Sequence, residues 1–297
     1  MSPFLLIANP FSGKKRGRDL SDFVVARLEA SGISVQVVVT EYAEQAAELV
    51  KAISPADYMG LGVIGGDGTV HNLINGCMQQ SERSRLPLAF FAGGTGNAIH
   101  HQLGIQNIAK AIECILQRRT QPLDLLRVQT GERSTCCINI AGWAGGMNIA
   151  RRAETMRWLG PARYSLAAII EIFFGRRQPF RVELPDQAYE DRYFLIIACN
   201  TIQAGGALKI APRASTRDGL MDLIFVRDAG RFQLLKMFQL VKTGSHLELP
   251  FVEYHQVSRM IVRSAQPVYV NLDGDLTTEA CQEFHLEVLP AALTVFA

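Results

Sequence analysis

Two architectures follow one another along this chain: a parallel α/β unit over residues 1–125 and an antiparallel β-sandwich over 126–288. Three observations predict this. Up to about residue 125, apolar strand-like runs alternate with stretches of helical periodicity, the pattern of a parallel sheet covered by helices. Two of those runs end in Gly-Gly turns that begin at 65 and 93, close to the length of one βαβ unit. Beyond Pro122 short alternating runs follow one another between turn-rich segments, as antiparallel β structure requires.

Taken in order, Phe4–Ala8 is the first predicted strand, and Arg16–Ala30 a helix with Phe23, Val24 and Leu28 on one face. Ser31-Gly32 punctuates the connection to a second strand, Val35–Val39. A helix over Glu44–Ile53 ends before Pro55, which cannot continue it, and Met59–Ile64 and Leu86–Phe91 are further buried strands. In the second half, Leu123–Val128, Thr135–Ile140, Phe180–Leu184, Tyr193–Ala198, Met221–Val226, Arg259–Arg263 and Pro267–Leu272 read as strands. Helices are expected there only near 153–174 and 231–243.

Composition narrows the function classes. With 48% apolar and 20% charged residues, the 297-residue chain can bury a full core. A net charge of +2 and the lack of a long basic run argue against a nucleic-acid partner. No apolar stretch reaches the length of a membrane span, and the N-terminus reads as a strand rather than a signal peptide. Six scattered cysteines (77, 114, 136, 137, 199, 281) are read as reduced thiols, which points to the cytoplasm. The six histidines form no H-E-x-x-H or comparable cluster, so a zinc enzyme is not expected.

The chemistry concentrates in the glycine turns. Val63-Ile64-Gly65-Gly66-Asp67-Gly68-Thr69 closes an apolar strand and leads into a helix expected from Val70 through Cys77. Glycines here permit positive φ and bring backbone N–H groups close to a ligand; a helix start adds unpaired donors that favour phosphate. A carboxylate repels phosphate unless a divalent cation lies between them, so Asp67 suggests a nucleotide–metal complex. Ala92-Gly93-Gly94-Thr95-Gly96-Asn97 repeats the arrangement. Either loop alone could be a tight turn without a ligand; the pair, brought to one carboxyl edge of a parallel sheet, favours a binding site. Neither the P-loop pattern nor the G-x-G-x-x-G register is present.

Asn9-Pro10-x-Ser12-Gly13, Gly65-Gly66-Asp67-Gly68-Thr69 and Gly93-Gly94-Thr95-Gly96-Asn97 resemble the catalytic-domain motifs of the diacylglycerol kinase and sphingosine kinase superfamily. The nearest likeness is to its stand-alone bacterial lipid kinases. Later landmarks keep family order: Asn200 ahead of Gly205-Gly206, Pro212-x-Ala214-x-x-x-Asp218-Gly219-x-x-Asp222, and Asn271-Leu272-Asp273-Gly274-Asp275. The resemblance implies an ATP- and Mg²⁺-dependent kinase acting on a lipid hydroxyl in a cleft between domains, with residues 289–297 returning to the first domain. It assigns the phosphates and Mg²⁺ to Gly65, Gly66, Asp67, Gly68 and Thr69, and further nucleotide contacts to Asn9, Ser12, Thr95 and Asn97. Thr40 either contacts the nucleotide, as in the family, or caps the helix around Glu44.

Asp273 and Asp275 are the implied carboxylates for general-base chemistry, although Asp-Gly is also a common hairpin turn. The family usually has Asp-Gly-Glu here, so which aspartate is the base stays open. Asp218 and Asp222, with the backbone carbonyls of Ser215 and Leu220, resemble a second, structural Mg²⁺ loop, the alternative being a solvated turn. His71-Asn72 and Ala98 depart from the family by losing acidic groups, which leaves a catalytically impaired binding module as one alternative. NAD kinase, which shares Gly-Gly-Asp-Gly-Thr, is another. Trp158–Tyr164 and the run from Leu166 to Phe174, beside Arg151, Arg152 and Arg157, either contact lipid at a membrane surface or pack in the core. Peripheral membrane contact, with no transmembrane segment, is therefore the expected partnership; the oligomeric state stays open.

Overall fold

The computed structural model describes residues 2–12, 17–42, 44–81, 85–93, 97–160, 162–204 and 208–297. They fall into two compact units, 1–124 with 290–297, and 125–289.

In the first unit, β1 (Phe4–Ala8), β2 (Val35–Val39), β3 (Gly60–Gly65) and β4 (Leu88–Ala92) form a parallel sheet in the order β2-β1-β3-β4. β1 and β3 are buried along their whole length, as continuous apolar runs must be when helices cover both faces. The helices are α1 (Gly17–Glu29), α2 (Gln45–Ala52), α3 (Asp67–Met78), α4 (Ala98–Leu103) and α5 (Ile108–Leu116). Residues 290–297 return to this unit: Val295 pairs in parallel with Leu88, and the Phe296 ring lies 6.3 Å from that of Phe4. The buried Asp124 carboxylate fastens the returning segment by accepting the Ala291 N–H at 2.7 Å.

The second unit contains β5 from Leu125 on (Thr120–Thr130 in full), β6 (Arg133–Cys137), β7 (Ile140–Ala144), α6 (Gly145–Thr155) and α7 (Ala162–Phe174). It continues with β8 (Gln178–Glu183), β9 (Ala188–Cys199), β10 (Met221–Arg227), α8 (Arg231–Leu240), β11 (Val252–Val257) and β12 (Arg259–Val268). A short hairpin, β13 (Asn271–Leu272) and β14 (Asp275–Leu276), precedes β15 (Cys281–Phe296). β9 is the antiparallel pivot of this unit: β8 pairs with its first half, residues 188–193, and β7 and β10 flank its second half, residues 195–199, on either edge.

Alternate β9 residues face opposite ways, and each face has its own core. Ile196 and Ala198 join Trp143, Tyr193, Phe225 and Phe284 between strands. Leu195, Ile197 and Cys199 join Ile172, Leu234 and Met237, so α7 and α8 cover that side. The expected class, a parallel α/β unit followed by an antiparallel β-sandwich, is the one observed.

The differences have local causes. The run Thr135–Ile140, expected as one strand, breaks after Cys137, where Ile138, Asn139 and Ile140 turn their N–H groups to a distant carboxylate. The helix expected near 153 starts at Gly145. All six cysteines are free, five of them buried and Cys281 half-buried. Among the described residues no helix is long and apolar enough to cross a membrane.

Candidate functional site

Parallel neighbouring strands bring the loops after β1, β2, β3 and β4 to one edge of the first sheet. Asn9 joins two of them. Its N–H donates to Ile64 O at 3.0 Å, its Nδ2 donates to Thr69 Oγ1 at 3.1 Å, and its Oδ1 accepts the Phe11 N–H at 3.0 Å. Its carbonyl accepts from both the N–H (3.2 Å) and the hydroxyl (2.8 Å) of Ser12. Gly93 donates to Gly65 O at 3.0 Å, drawing in the fourth loop.

Close approach, rather than positive φ, explains the glycines. A Cβ at Gly65 would fall 2.4 Å from that of Thr69, and one at Gly93 would fall 2.8 Å from Ser12 Oγ. Gly66 sits at φ −90°, and none of Gly65, Gly66 and Gly68 is left-handed. The expectation of positive φ there is corrected accordingly. So is the helix start: α3 begins at Asp67, not Val70, with Gly66 as its N-cap. Asp67, Gly68 and Thr69 therefore form the first turn of a 12-residue helix, where N–H groups lack intrahelical acceptors and the dipole is positive.

Thr40 is buried, and its N–H and hydroxyl both turn to Ala8 O, at 2.9 and 3.5 Å. It does not cap the following helix, whose N-cap is Glu44. Asn97 precedes α4 in a left-handed conformation, φ 49°. Gly13, Gly94, Thr95, Gly96, Pro161, Gly205 and Gly206 lie outside the described residues.

In the second unit, Asp273-Gly274 is the two-residue turn of the β13–β14 hairpin, with φ 56° and 113°. Two positive φ values suit this dipeptide, so the hairpin reading is correct and does not compete with a chemical role. Asn271 Oδ1 accepts the Gly274 N–H at 2.9 Å, and Asp273 N–H donates to Ile140 O at 3.0 Å.

The two aspartates differ in surroundings. Asp273 Oδ2 accepts the N–H of Ile138 at 2.9 Å, while Oδ1 accepts those of Asn139 at 2.7 Å and Ile140 at 3.0 Å. Both oxygens are thus committed to backbone. Asp275, two residues on, is exposed. Asn200 completes the arrangement from β9's end: wholly buried, it donates from N–H to Asn139 O (2.8 Å) and from Nδ2 to Ile138 O (2.9 Å). Sequence reasoning noted Asn200 and Asn271 only as landmarks and missed Ile138–Ile140; the isolated Asn139 in an apolar run was the one available signal.

An apolar cavity of about 110 Å³ lies behind this turn. Ile149, Tyr164, Ala168, Ile172, Phe194 and Phe238 are among its walls, and it reaches Ile140 and Asn271, neighbours of the Asp273 carboxylate and its turn.

The loop before β10 and the second residue of that strand supply a different carboxylate pair, Asp218 and Asp222. Asp222 is wholly buried; its Oδ1 accepts from the Tyr254 hydroxyl and from Gln256 Nε2 at 3.4 Å. Its Oδ2 is buried without a hydrogen-bond partner. Burial, and then the charge of Asp218, push its carboxyl up to about 6. Asp218 Oδ1 accepts the Leu220 N–H at 3.1 Å and Ser215 Oγ accepts that of Arg217 at 3.3 Å, so the loop is folded by its own short bonds. An orphaned anionic oxygen beside a second carboxylate fits a hard cation. Among the described residues no three acidic, His or Cys side chains cluster as metal ligands, so backbone carbonyls would have to complete the shell.

Comparison with known proteins agrees with this layout. Residues 3–128 match the diacylglycerol kinase catalytic domain, and residues 143–297, more than half of the chain, match the YegS C-terminal NAD kinase beta sandwich-like domain. A diacylglycerol kinase of Mycobacterium tuberculosis is 30% identical, over 97% of this chain and 93% of its own length. Sphingosine kinase 2 of Arabidopsis thaliana is 25% identical, over 87% of this chain and 64% of its own length. The crystal structure of a diacylglycerol kinase from Bacillus anthracis superposes with a TM-score of 0.83 at 24% identity, covering 99% of this chain and 96% of the other, and bears on the fold. The chain therefore belongs to the diacylglycerol kinase family of lipid kinases, a family of phosphotransferases.

Proposed function

We propose that this chain is an ATP- and Mg²⁺-dependent lipid kinase that transfers the γ-phosphate to the hydroxyl of a diacylglycerol-like lipid, a phosphatidylglycerol or a sphingoid base. The observation that carries the reading is the apolar cavity of the second unit, which reaches the residues holding the Asp273-Gly274-Asp275 turn. A cavity walled by aliphatic and aromatic groups beside carboxylates suits an acyl chain that ends in a hydroxyl. It does not suit the polar dinucleotide that an NAD kinase phosphorylates.

In the first unit, the loop Gly65–Thr69 and the first turn of α3 would hold the phosphates on their N–H groups. Asn9 holds the first loop against that helix and Ser12 braces Asn9, while Thr40, Thr95 and Asn97 would complete the nucleotide contacts. When bound, Mg²⁺ neutralises phosphate charge; Asp67 is the carboxylate that would hold it. Asp218 and Asp222, with the carbonyls of Ser215 and Leu220, would hold a structural ion.

Asp275 is the general base and takes the proton of the attacking hydroxyl, a role that needs an accessible oxygen. Asp273 is a positioning residue: with both oxygens committed to Ile138–Ile140, it fixes the turn that carries Asp275. The lipid is met at the membrane surface.

The test is transfer of labelled γ-phosphate from ATP–Mg²⁺ to a panel of lipids in mixed micelles, with NAD⁺ as a parallel acceptor. Label in a lipid, lost in Asp275→Asn, is expected. Label in NAD⁺ alone would reverse the assignment to NAD kinase. Absence of label anywhere, with ATP still bound, would leave a non-catalytic binding module.

A further inference from the structure

Helix α7 is apolar on two faces. Ala167, Ala168 and Ile172 are buried, and Tyr164, Ala168 and Ile172 line the cavity. On the opposite side Leu166, Ile169 and Phe173 recur at helical spacing and are 37–40% exposed. A helix without a polar face belongs in a core or at a membrane boundary, and this one lies at the protein surface.

The exposed apolar surface continues at both ends of the helix. Trp158, in the 3₁₀ turn Arg157–Leu159 that precedes α7, is 81% exposed. Phe174, its last residue, is 77% exposed, and Phe232, near the start of α8, is 88% exposed. Arg177 joins these last two elements, donating from Nη1 to Gly175 O at 3.1 Å and from Nη2 to Ala229 O at 3.3 Å.

The charge carried by this part of the chain is predominantly positive. Residues 151–177 contain six arginines and two glutamates, a surplus of four in a chain whose net charge is +2. Arg152 and Arg163 meet those glutamates, Glu171 and Glu154, and Arg177 meets Asp228. Arg151 and Arg176 are exposed and make no ion pair among the described residues.

We propose that α7, with Trp158, Phe174 and Phe232, is the docking face for an anionic lipid bilayer. The apolar side chains enter the acyl boundary, and the arginine surplus meets anionic headgroups. Lipid surfaces meet both demands at once. A second copy of this chain would bring two arginine-rich rims together, an arrangement that like charges oppose. The proposal rests on the lipid kinase reading and adds the place of contact. A lipid leaving the bilayer would then reach the cavity across the width of a single helix, about 10 Å.

The chain has two tryptophans, and Trp143 is fully buried, so Trp158 reports on the surface. The experiment mixes full-length protein with vesicles of phosphatidylcholine containing about one third phosphatidylglycerol, and with pure phosphatidylcholine vesicles, and reads flotation and Trp158 emission. Expected are a blue shift and flotation on the anionic vesicles only, weakened by salt. The variant Leu166→Gln/Ile169→Gln/Phe173→Ser should lower partitioning about ten-fold or more. Its turnover of a short-chain, water-soluble form of the accepted lipid should stay unchanged.

Equal flotation of variant and wild type, or an unshifted Trp158, would overturn the docking face while leaving the kinase reading intact. A wild-type dimer that the variant converts to monomer would instead assign the face to a second copy. Vesicle binding without turnover of any lipid would break the kinase reading and keep the docking face.

Discussion

The two units build their candidate sites from opposite materials. In the α/β unit the elements are glycines and main-chain N–H groups: Gly65 and Gly93 let loops touch, and α3 opens its first turn at Asp67. In the sandwich unit the main chain is what must be satisfied, and Asp273 serves it with both oxygens. The lesson is that the two neighbouring aspartates of one turn divide the work, one holding the backbone and one left facing solvent.

Asp275→Asn tests that division with the largest effect. Phosphate transfer should fall by about 100- to 10,000-fold, with thermal unfolding little changed, because a base is lost at an exposed position of the turn. A comparable loss of stability would erase the distinction between the two aspartates.

Asp273→Ala should act first on the fold. Three N–H groups lose their acceptor, so denaturant unfolding should show a loss of roughly 3 kcal/mol or more. Activity should fall only as the turn loosens, and Asp273→Asn, which keeps an oxygen, should recover part of both.

Asp222 offers a test by pH. Its folded-state carboxyl is raised to about 6 by burial, so the folded protein holds that proton more tightly than the unfolded chain. The contribution is full below the ordinary carboxylate range and is lost as pH rises through 6, on the order of 2–3 kcal/mol. Metal-free protein should therefore lose stability from this group between acidic and neutral pH. Mg²⁺ should restore it at neutral pH and have little effect in acid; an Asp222→Asn variant should lose both responses.

Gly65→Ala sharpens the comparison from the other unit. The new methyl must displace Thr69 and with it the bond from Asn9, costing about 1–2 kcal/mol in stability. Calorimetry should show weaker ATP binding in the same variant. Unaltered affinity would mean that the close approach is not part of the nucleotide site.

How much of this the sequence discloses depends on distance along the chain. Phe4–Ala8 and Val35–Val39 are legible to the residue, since each is an apolar run bounded by turn residues. The glycine loops are legible for the same local reason. Helix α5 carries a readable signal that exceeded the expectation, with Asn107 accepting the Ala109 N–H and Ala111, Ile112 and Ile115 turned inward. Strand β11, Val-Glu-Tyr-His-Gln-Val, lacks a plain pattern and is a strand because β10 lies opposite. The donors to Asp273 precede it by 133 to 135 residues, which no local pattern encodes. Nor does any single segment announce the cavity, whose walls come from strands, helices and loops between Ile140 and Asn271.

The pairing of Val295 with Leu88 sets the order in which the molecule can be completed. On a ribosome, residues 1–124 emerge well before 290–297, which belong to the same unit, and the whole of 125–289 is made in between. At ordinary synthesis rates that interval is on the order of ten seconds or more. During it the outer edge of β4 has no strand beside it and Phe4 lacks the Phe296 ring. The nascent α/β unit thus waits as an open-edged sheet, the state in which chaperones and misassembly compete for a growing chain.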